Sequence, residues 1–329
     1  MTPLLEVREL VVEFPTRRGV LRALDGISFS IAPGEVLGVV GESGAGKSLT
    51  CAAIVGLLPP PGRIAGGSVR LDGERVDTLS AEPLRRIRGR RIGMIFQDPL
   101  TTLNPLLRIG RQLTGTMRTH LTLSAAEARR RAIAWLERVG IPDASRRIDS
   151  WPHEFSGGQR QRVVIALALC AEPELVIADE PTTALDVSVQ AQIITLLKTL
   201  TRENGVSVLL VTHDMGVIAE TADRVAVMYA GRIVEIGPVV AVIQSPAHPY
   251  TDGLMGSIPT VERRAERLRQ IDGSMPRLDA IPSGCAFHPR CGRAFDRCSV
   301  ARPELLEAGR TQAACWLHAP ETRLRSRYG

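Results

Sequence analysis

Three things are scarce in this chain of 329 residues. The first is a long apolar run. The longest unbroken one is Val163–Ala171, far short of the roughly 20 residues a membrane-spanning helix needs. The second is a secretion signal. The opening MTPLLEVREL carries Glu6 and Glu9 and has no apolar stretch behind a basic one, so the chain is expected in the cytosol. The third is lysine: of 41 basic residues, only Lys47 and Lys198 are not arginine. No repeat of 20–50 residues is evident either. What is present is ordinary globular material, 44% hydrophobic and 23% charged, enough for a core and against wholesale disorder. The length suggests about two domains. The net charge is +6, with arginines clustered at Arg85–Arg91 and Arg129–Arg131. Because 35 acidic residues nearly offset the basic ones, these clusters read as solvated helix faces rather than a nucleic-acid surface.

Hydrophobic periodicity gives the organisation. Residues 4–14 and 27–31 alternate as half-buried strands do, and Pro33-Gly34 marks a turn. VLGVV at 36–40 is a continuous apolar run, as in a strand buried on both faces. A helix is predicted over 47–58, stopped by Pro59-Pro60-Pro61, and a strand at 91–97. The stretch 100–160 is helical in pattern. Within it Ser124 and Glu127 form a capping-box pair, and Gly140 ends the helix they start. Strands at 175–178, 206–212 and 224–230 then alternate with helices at 187–202 and 214–222. This alternation predicts an α/β fold with a parallel sheet core and an inserted helical subdomain at about 98–159. Beyond about residue 240 the pattern dissolves into Pro-rich turns, a charged helix near 261–270 and a cysteine-rich segment. Domains are therefore expected at 1–240 and 241–329.

Gly41-Glu42-Ser43-Gly44-Ala45-Gly46-Lys47-Ser48, followed by Leu49, satisfies G-x-x-x-x-G-K-[ST] between a strand and a helix. Glycines let backbone N–H groups converge on phosphate oxygens, and the helix N-terminus adds a favourable dipole. Lys47 is expected at the β- and γ-phosphates and the Ser48 hydroxyl on Mg²⁺. One of only two lysines stands here, where a compact ammonium fits and a guanidinium does not. Leu175-Val176-Ile177-Ala178-Asp179-Glu180 is an apolar strand ending in two carboxylates. They divide the labour: Asp179 for the metal, Glu180 to orient or deprotonate an attacking water.

Of six cysteines, Cys51 and Cys170 lie in apolar helical patterns and read as core. Cys285, Cys291, Cys298 and Cys315 have the spacing C-x5-C-x6-C-x16-C, which is neither a C-x2-C zinc pattern nor the bacterial ferredoxin run. Four thiolates of this kind suit a [4Fe–4S] cluster or tetrahedral Zn²⁺, either of which would staple a tail with no core of its own. The tail is expected to be separable from nucleotide binding.

Between the two phosphate-site motifs lies Phe155-Ser156-Gly157-Gly158-Gln159, which resembles the signature motif of ATP-binding-cassette (ABC) ATPases, with Phe155 in place of the usual Leu. Gln97 resembles the family's Q-loop, Ala184-Leu185-Asp186 its D-loop and His213 its switch histidine. The resemblance implies a P-loop NTPase nucleotide-binding domain with a RecA-like parallel core, an N-terminal antiparallel β subdomain and a helical subdomain. It implies that Glu180, His213 and Gln97 serve catalysis, that Gln97 joins Ser48 and Asp179 at Mg²⁺, and that Ser156, Gly157, Gly158, Gln159 and Asp186 serve the ATP of a partner subunit. Phe14 either stacks on adenine or is a strand-end core residue. Ser245–Thr251 and the cysteine segment resemble the C-terminal extension of peptide-importer ATPases, and that resemblance favours the iron–sulfur cluster over zinc. The implied role is ATP hydrolysis powering peptide import at the cytoplasmic face of the inner membrane. The implied partners are a paralogous ATPase, two permease subunits and, indirectly, a peptide-binding protein, with no nucleic acid. A nickel or antimicrobial-peptide importer and a soluble nucleic-acid-acting ABC ATPase are the alternatives.

Overall fold

Continuous apolar runs become strands buried along their whole length: every residue of Val36–Val40, Leu175–Asp179 and Ser207–Val211 is buried. The alternating segments become the half-exposed strands Leu5–Thr16 and Gly19–Ile31. This computed structural model describes residues 2–183, 185–257 and 270–320. The charged helix expected near 261–270 falls almost wholly outside them, as does Ala184. The chain divides into two compact units, Met1–Leu5, Ile31–Val36 and Leu71–Val211 in one, Glu6–Ser30, Leu37–Arg70 and Thr212–Gly329 in the other.

The first unit is built on three parallel strands, Ile92–Ile95, Leu175–Asp179 and Ser207–Val211. Ile92 stands opposite Leu175 and Ile95 opposite Ala178, while Asp179 faces Val211. Helix Gly157–Leu169 packs hard on the first of these strands: a Cβ at Gly93 would stand 2.3 Å from the Ala168 carbonyl oxygen. Helices Ile109–His120 and Ala125–Arg138 pack on one another through apolar stripes that bury Leu113, Met117, Ala128, Ala132 and Leu136. The second of them starts as expected, with Ser124 Oγ accepting from the Glu127 N–H at 3.2 Å. It ends at Val139–Gly140, with Gly140 at φ +75°. The arginine clusters pair with local carboxylates, Arg85 with Glu82, Arg91 with Glu74 and Glu174, and Arg129 with Asp149.

The second unit holds two sheets. One orders Gly19–Ile31, Leu5–Thr16 and Arg63–Leu71 side by side. In the other, Val36–Val40 runs parallel to Arg224–Tyr229, which pairs antiparallel with Arg232–Pro238 through a bulge at Val234. Helix Lys47–Ile54 stops short of Leu58, because the chain turns at Val55 and Gly56, the latter at φ +64°. The tail departs most from expectation. Rather than dissolving after residue 240, it forms helices Val239–Gln244 and Pro249–Gly256. It then adds strands Leu306–Ala308 and Thr311–Ala313, with Ala313 opposite Glu235 and Gln312 opposite Ile236. Strands of three residues are too short to show a period. Nor is the tail coreless: Tyr250 and Phe287 are buried with Tyr229 and His248, ring centroids 4.7–5.8 Å apart.

Candidate functional site

Two positions in the loop after Val36–Val40 require glycine. A Cβ at Gly41 would stand 2.3 Å from the Met228 carbonyl oxygen, and Gly46 sits at φ +103° as the N-cap of helix Lys47–Ile54. Lys47 is buried, and its Nζ donates to the carbonyls of Gly41 (2.8 Å) and Glu42 (3.1 Å). The ammonium thus lies in the middle of its own loop, whose Ser43, Gly44 and Ser48 are exposed. Phe14 is half-buried, and its ring packs on Gly62, where a Cβ would approach Cε1 to 2.7 Å. In the same unit His213 stands exposed after Thr212, and Asp214 caps helix Met215–Thr221 by accepting from Gly216 and Val217.

In the first unit Asp179 and Glu180 end a fully buried strand. Asp179 is 7% exposed. Glu180 adopts φ +47°, a left-handed conformation that costs a non-glycine residue free energy and is typical of functional sites. Its N–H donates to the Val211 carbonyl at 2.8 Å, closing the strand pair. Two side chains converge on its Oε2: Gln97 Nε2 at 3.2 Å and Thr183 Oγ1 at 2.8 Å. Gln97 comes from the end of the neighbouring strand, so sheet register alone brings it there. Thr183 was not foreseen, although its place three residues after Glu180 is a legible signal.

The signature segment caps a helix. Ser156 Oγ accepts from the Gln159 N–H (3.3 Å), and Gln159 Oε1 accepts from the Ser156 N–H (3.1 Å). This reciprocal S-x-x-Q pair is readable in the sequence. Phe155 is buried under the Arg147 guanidinium, 4.0 Å from its ring centroid, so the apolar position keeps its packing role without Leu. Gly158 faces Val189, where a Cβ would come within 2.8 Å of Cγ1. Asp186 caps helix Val187–Glu203, and the Val189 N–H holds its carboxyl below the usual range. This unit therefore brings Gln97 to Glu180 and the signature helix to the helix that Asp186 caps.

Cys285, Cys291, Cys298 and Cys315 line one small cavity of about 20 Å³, with His288 and Trp316 also in its wall. All are free thiols. Burial raises Cys285 and Cys291 and pushes Cys315 up to about 11, and the charges of neighbouring cysteines add to each shift. The expected metal-binding extension is not shown. Four sulfurs face one cavity, but among the described residues no three His, Cys, Asp or Glu side chains are set to hold a metal ion. Burial favours the neutral thiols as they stand.

The tail, expected to be separable from nucleotide binding, touches the nucleotide loop. The Glu42 N–H donates to Tyr250 Oη at 2.9 Å, and Arg290, one residue before Cys291, pairs with the Glu42 carboxylate at 3.1 Å. A second feature missed in the sequence is Glu235, fully buried in the apolar run 233–236. It accepts from the N–H groups of Ala247 and His248, both at 2.9 Å, and from Thr311 Oγ1 at 3.3 Å. A charge inside an apolar strand was the available signal.

The ABC transporter family profile matches residues 24–183, and that of the oligopeptide/dipeptide transporter C-terminal region matches 234–298. The oligopeptide transport ATP-binding protein OppD of Bacillus subtilis (strain 168) is 47% identical over 324 residues, covering 98% of this chain and 90% of that one. The dipeptide transport ATP-binding protein DppD of the same organism is 46% identical over 319 residues, covering 96% and 95%. Among solved structures, the ATP-binding cassette MJ0796, in a dimeric post-hydrolysis state bound to ADP and Pi, matches with a TM-score of 0.65 at 30% identity. It covers 71% of this chain and 98% of its own. Among the described residues no helix is long and apolar enough to cross a membrane. A glycine loop closed on its lysine, a strand-end carboxylate pair, a capped signature helix and likeness along almost the whole length carry one conclusion: the chain belongs to the ABC transporter family, among its oligopeptide and dipeptide transport ATP-binding proteins.

Proposed function

We propose that this chain is an ATP-hydrolysing motor subunit of a peptide importer, working at composite sites shared with a paralogous ATPase. The observation that carries the reading is Glu180: a carboxylate at the end of a buried strand, in a strained conformation, with Gln97 and Thr183 on one of its oxygens. This carboxylate is the group assigned to orient or deprotonate the attacking water. Lys47 and the loop Gly41–Leu49 bind the polyphosphate, and Phe14 offers adenine a ring face. The N-terminus of helix Gly157–Leu169, with Ser156 and Gln159, binds the partner's nucleotide from the far side, beside Asp186. His213 steadies the γ-phosphate charge. Ser48, Asp179 and Gln97 carry the oxygen donors that the family resemblance assigns to Mg²⁺, which would neutralise phosphate charge. Because the closed dimer binds ATP more tightly than the open one, hydrolysis releases closure.

The permease partners are placed on the segment after Gln97. Leu106 in that segment is 79% exposed, and Phe96 just before Gln97 is 39% exposed, apolar surface that a membrane partner would cover. On this reading the chain works at the cytoplasmic face of the inner membrane, as its family resemblance implies. Purification with co-expressed permeases and the paralogue should give ATP hydrolysis stimulated by peptide-loaded binding protein. ATPase stimulated by DNA, falling steeply with salt, would instead select the nucleic-acid reading.

A second reading concerns the thiols. Four sulfurs lining one cavity are the donor set of a [4Fe–4S] cluster, with Zn²⁺ as the alternative. Cys285, Cys291, Cys298 and Cys315 would hold such a metal as thiolates, and the bonds would tie the tail together. Iron and acid-labile sulfide, measured after anaerobic purification, should be stoichiometric. Zinc without iron selects the alternative, and protein free of both removes the reading.

A further inference from the structure

The contact between the tail and the nucleotide loop is more than incidental packing. Arg290 lies in the short turn His288–Arg290, and its side chain is 9% exposed. All five guanidinium N–H donors have an acceptor within reach. Nε donates to the Asp272 carbonyl (2.7 Å), and Nη2 to those of Ile271 (3.3 Å) and Gly273 (3.4 Å). Nη1 donates to Glu42 Oε2 (3.1 Å) and Tyr229 Oη (3.4 Å). The cation also stands 5.8 and 5.9 Å from the ring centroids of Tyr229 and Phe287. Three tail residues thus reach the first half of the loop: Arg290 at the Glu42 carboxylate, Tyr250 at the Glu42 N–H and Met275 beside Gly44.

Glu42 is an odd residue for a loop that binds a polyanion. Its Oε1 is buried with no hydrogen-bond partner, so its charge is compensated through Oε2. Without a counter-charge, this carboxylate would repel the phosphates entering beside it. We propose that Arg290 is a positioning residue of the nucleotide site. It neutralises Glu42 and draws that side chain toward the tail, so the cysteine-bearing segment is part of what makes the loop bind ATP. The proposal rests on the reading of Gly41–Ser48 as the nucleotide loop. The two are separated by Lys47→Ala, which must abolish nucleotide binding if that reading holds, whatever Arg290 does.

The test is equilibrium binding of N-methylanthraniloyl-ATP with Mg²⁺ to the full chain. Arg290→Met should weaken binding about tenfold, by exposing the phosphates to an unpaired carboxylate, and added NaCl should shrink the loss. The decisive variant is the double one. Adding Glu42→Gln to Arg290→Met removes the repulsion and should bring affinity back to within about threefold of wild type. A purely structural strut would not be rescued this way. Arg290→Lys, which keeps the charge but not the fork, should lie within about threefold of wild type. If Arg290→Met does not fold, Arg290→Gln carries the same comparison, since it keeps a donor for the Asp272 carbonyl. Wild-type affinity in the chargeless variant, or no recovery on adding Glu42→Gln, overturns the proposal.

Discussion

Glu180 and Lys47 both sit just beyond a buried strand, yet they are held in opposite ways. The Glu180 carboxylate is fixed by near neighbours in the fold, Gln97 from the end of the adjoining strand and Thr183 three residues on. The loop that carries Lys47 is braced at Glu42 by Tyr250 and Arg290, which lie 208 and 248 positions later. A site hung on the ends of paired strands inherits its geometry from sheet register. A loop braced by a distant tail inherits it from tertiary packing, and the tail then counts as part of the site.

The largest effect should come from the strand-end side. Glu180→Gln keeps the shape and the hydrogen bonds from Gln97 and Thr183 but removes the base. Turnover should fall by about 10²–10⁴-fold with nucleotide affinity retained and the ATP-bound dimer stabilised. Steady-state ATPase and size-exclusion measurements check both. Unimpaired hydrolysis would assign the base elsewhere and end the claim that this carboxylate differs in kind from Glu42.

On the tail side, Phe287 packs on Tyr229, Tyr250 and His248 and is 3% exposed. Phe287→Ala should cost about 3–5 kcal/mol in urea unfolding, the usual range for a buried aromatic. A loss under about 1 kcal/mol would mean the aromatic cluster does not hold the tail, and the contrast between near and distant bracing would fail.

The same contrast explains what could be read in advance. The strands at 36–40, 175–179 and 207–211 and the helices begun by Ser124 and Asp186 obey local rules; Glu180 was read from the strand-end carboxylate pattern, while Gln97 and Ser156 came from the family resemblance. The left-handed backbone of Glu180 depends on how the strand end meets its neighbours, and no local pattern encodes that, whereas Thr183, three residues on, was legible and passed over. Arg290 was hidden by its own surroundings: between Cys285 and Cys291 it read as filler in a sulfur motif, when its partner is a loop residue 248 positions earlier. Glu235 was passed over: it lies between the strand expected at 224–230 and the tail, in a stretch for which no element was expected. Its role appears only once the backbone N–H groups of Ala247 and His248 are folded onto it.

The tail core also carries a pH signature of its own. His248 is 1% exposed, and its Nδ1 accepts from the Tyr250 N–H at 3.1 Å, so it must be neutral at that nitrogen. Burial, aided by the charge of His318, pushes its pKa down from 6.5 to about 3. The unfolded chain therefore takes up this proton first as pH drops. The contribution to stability is intact above about pH 6.5 and is lost progressively as pH falls from there toward about 3. Between pH 7.5 and pH 5 the loss should be on the order of 2 kcal/mol. His248→Asn keeps an acceptor at the helix N-cap and should flatten that difference in urea titrations. An equal pH dependence in both proteins would place the titration on another group.

The smallest effect is expected from a pair that repeats the chemistry of Arg290 and Glu42 without its setting. Arg129 grips Asp149 with two nitrogens at 2.9 and 2.6 Å, a fork as good as any in the molecule, and it holds the Asp149 carboxyl below its ordinary range. Both side chains are about half exposed, at 46% and 48%, against 9% and 28% for Arg290 and Glu42. Water and salt already solvate either partner, so geometry alone should contribute little. Arg129→Met is expected to change stability by about 0.5 kcal/mol or less in urea unfolding and to leave nucleotide affinity unchanged. A loss well above about 1 kcal/mol would show that burial is not what separates the two pairs, and would remove the reason for placing Arg290, rather than any other paired arginine, in the nucleotide site.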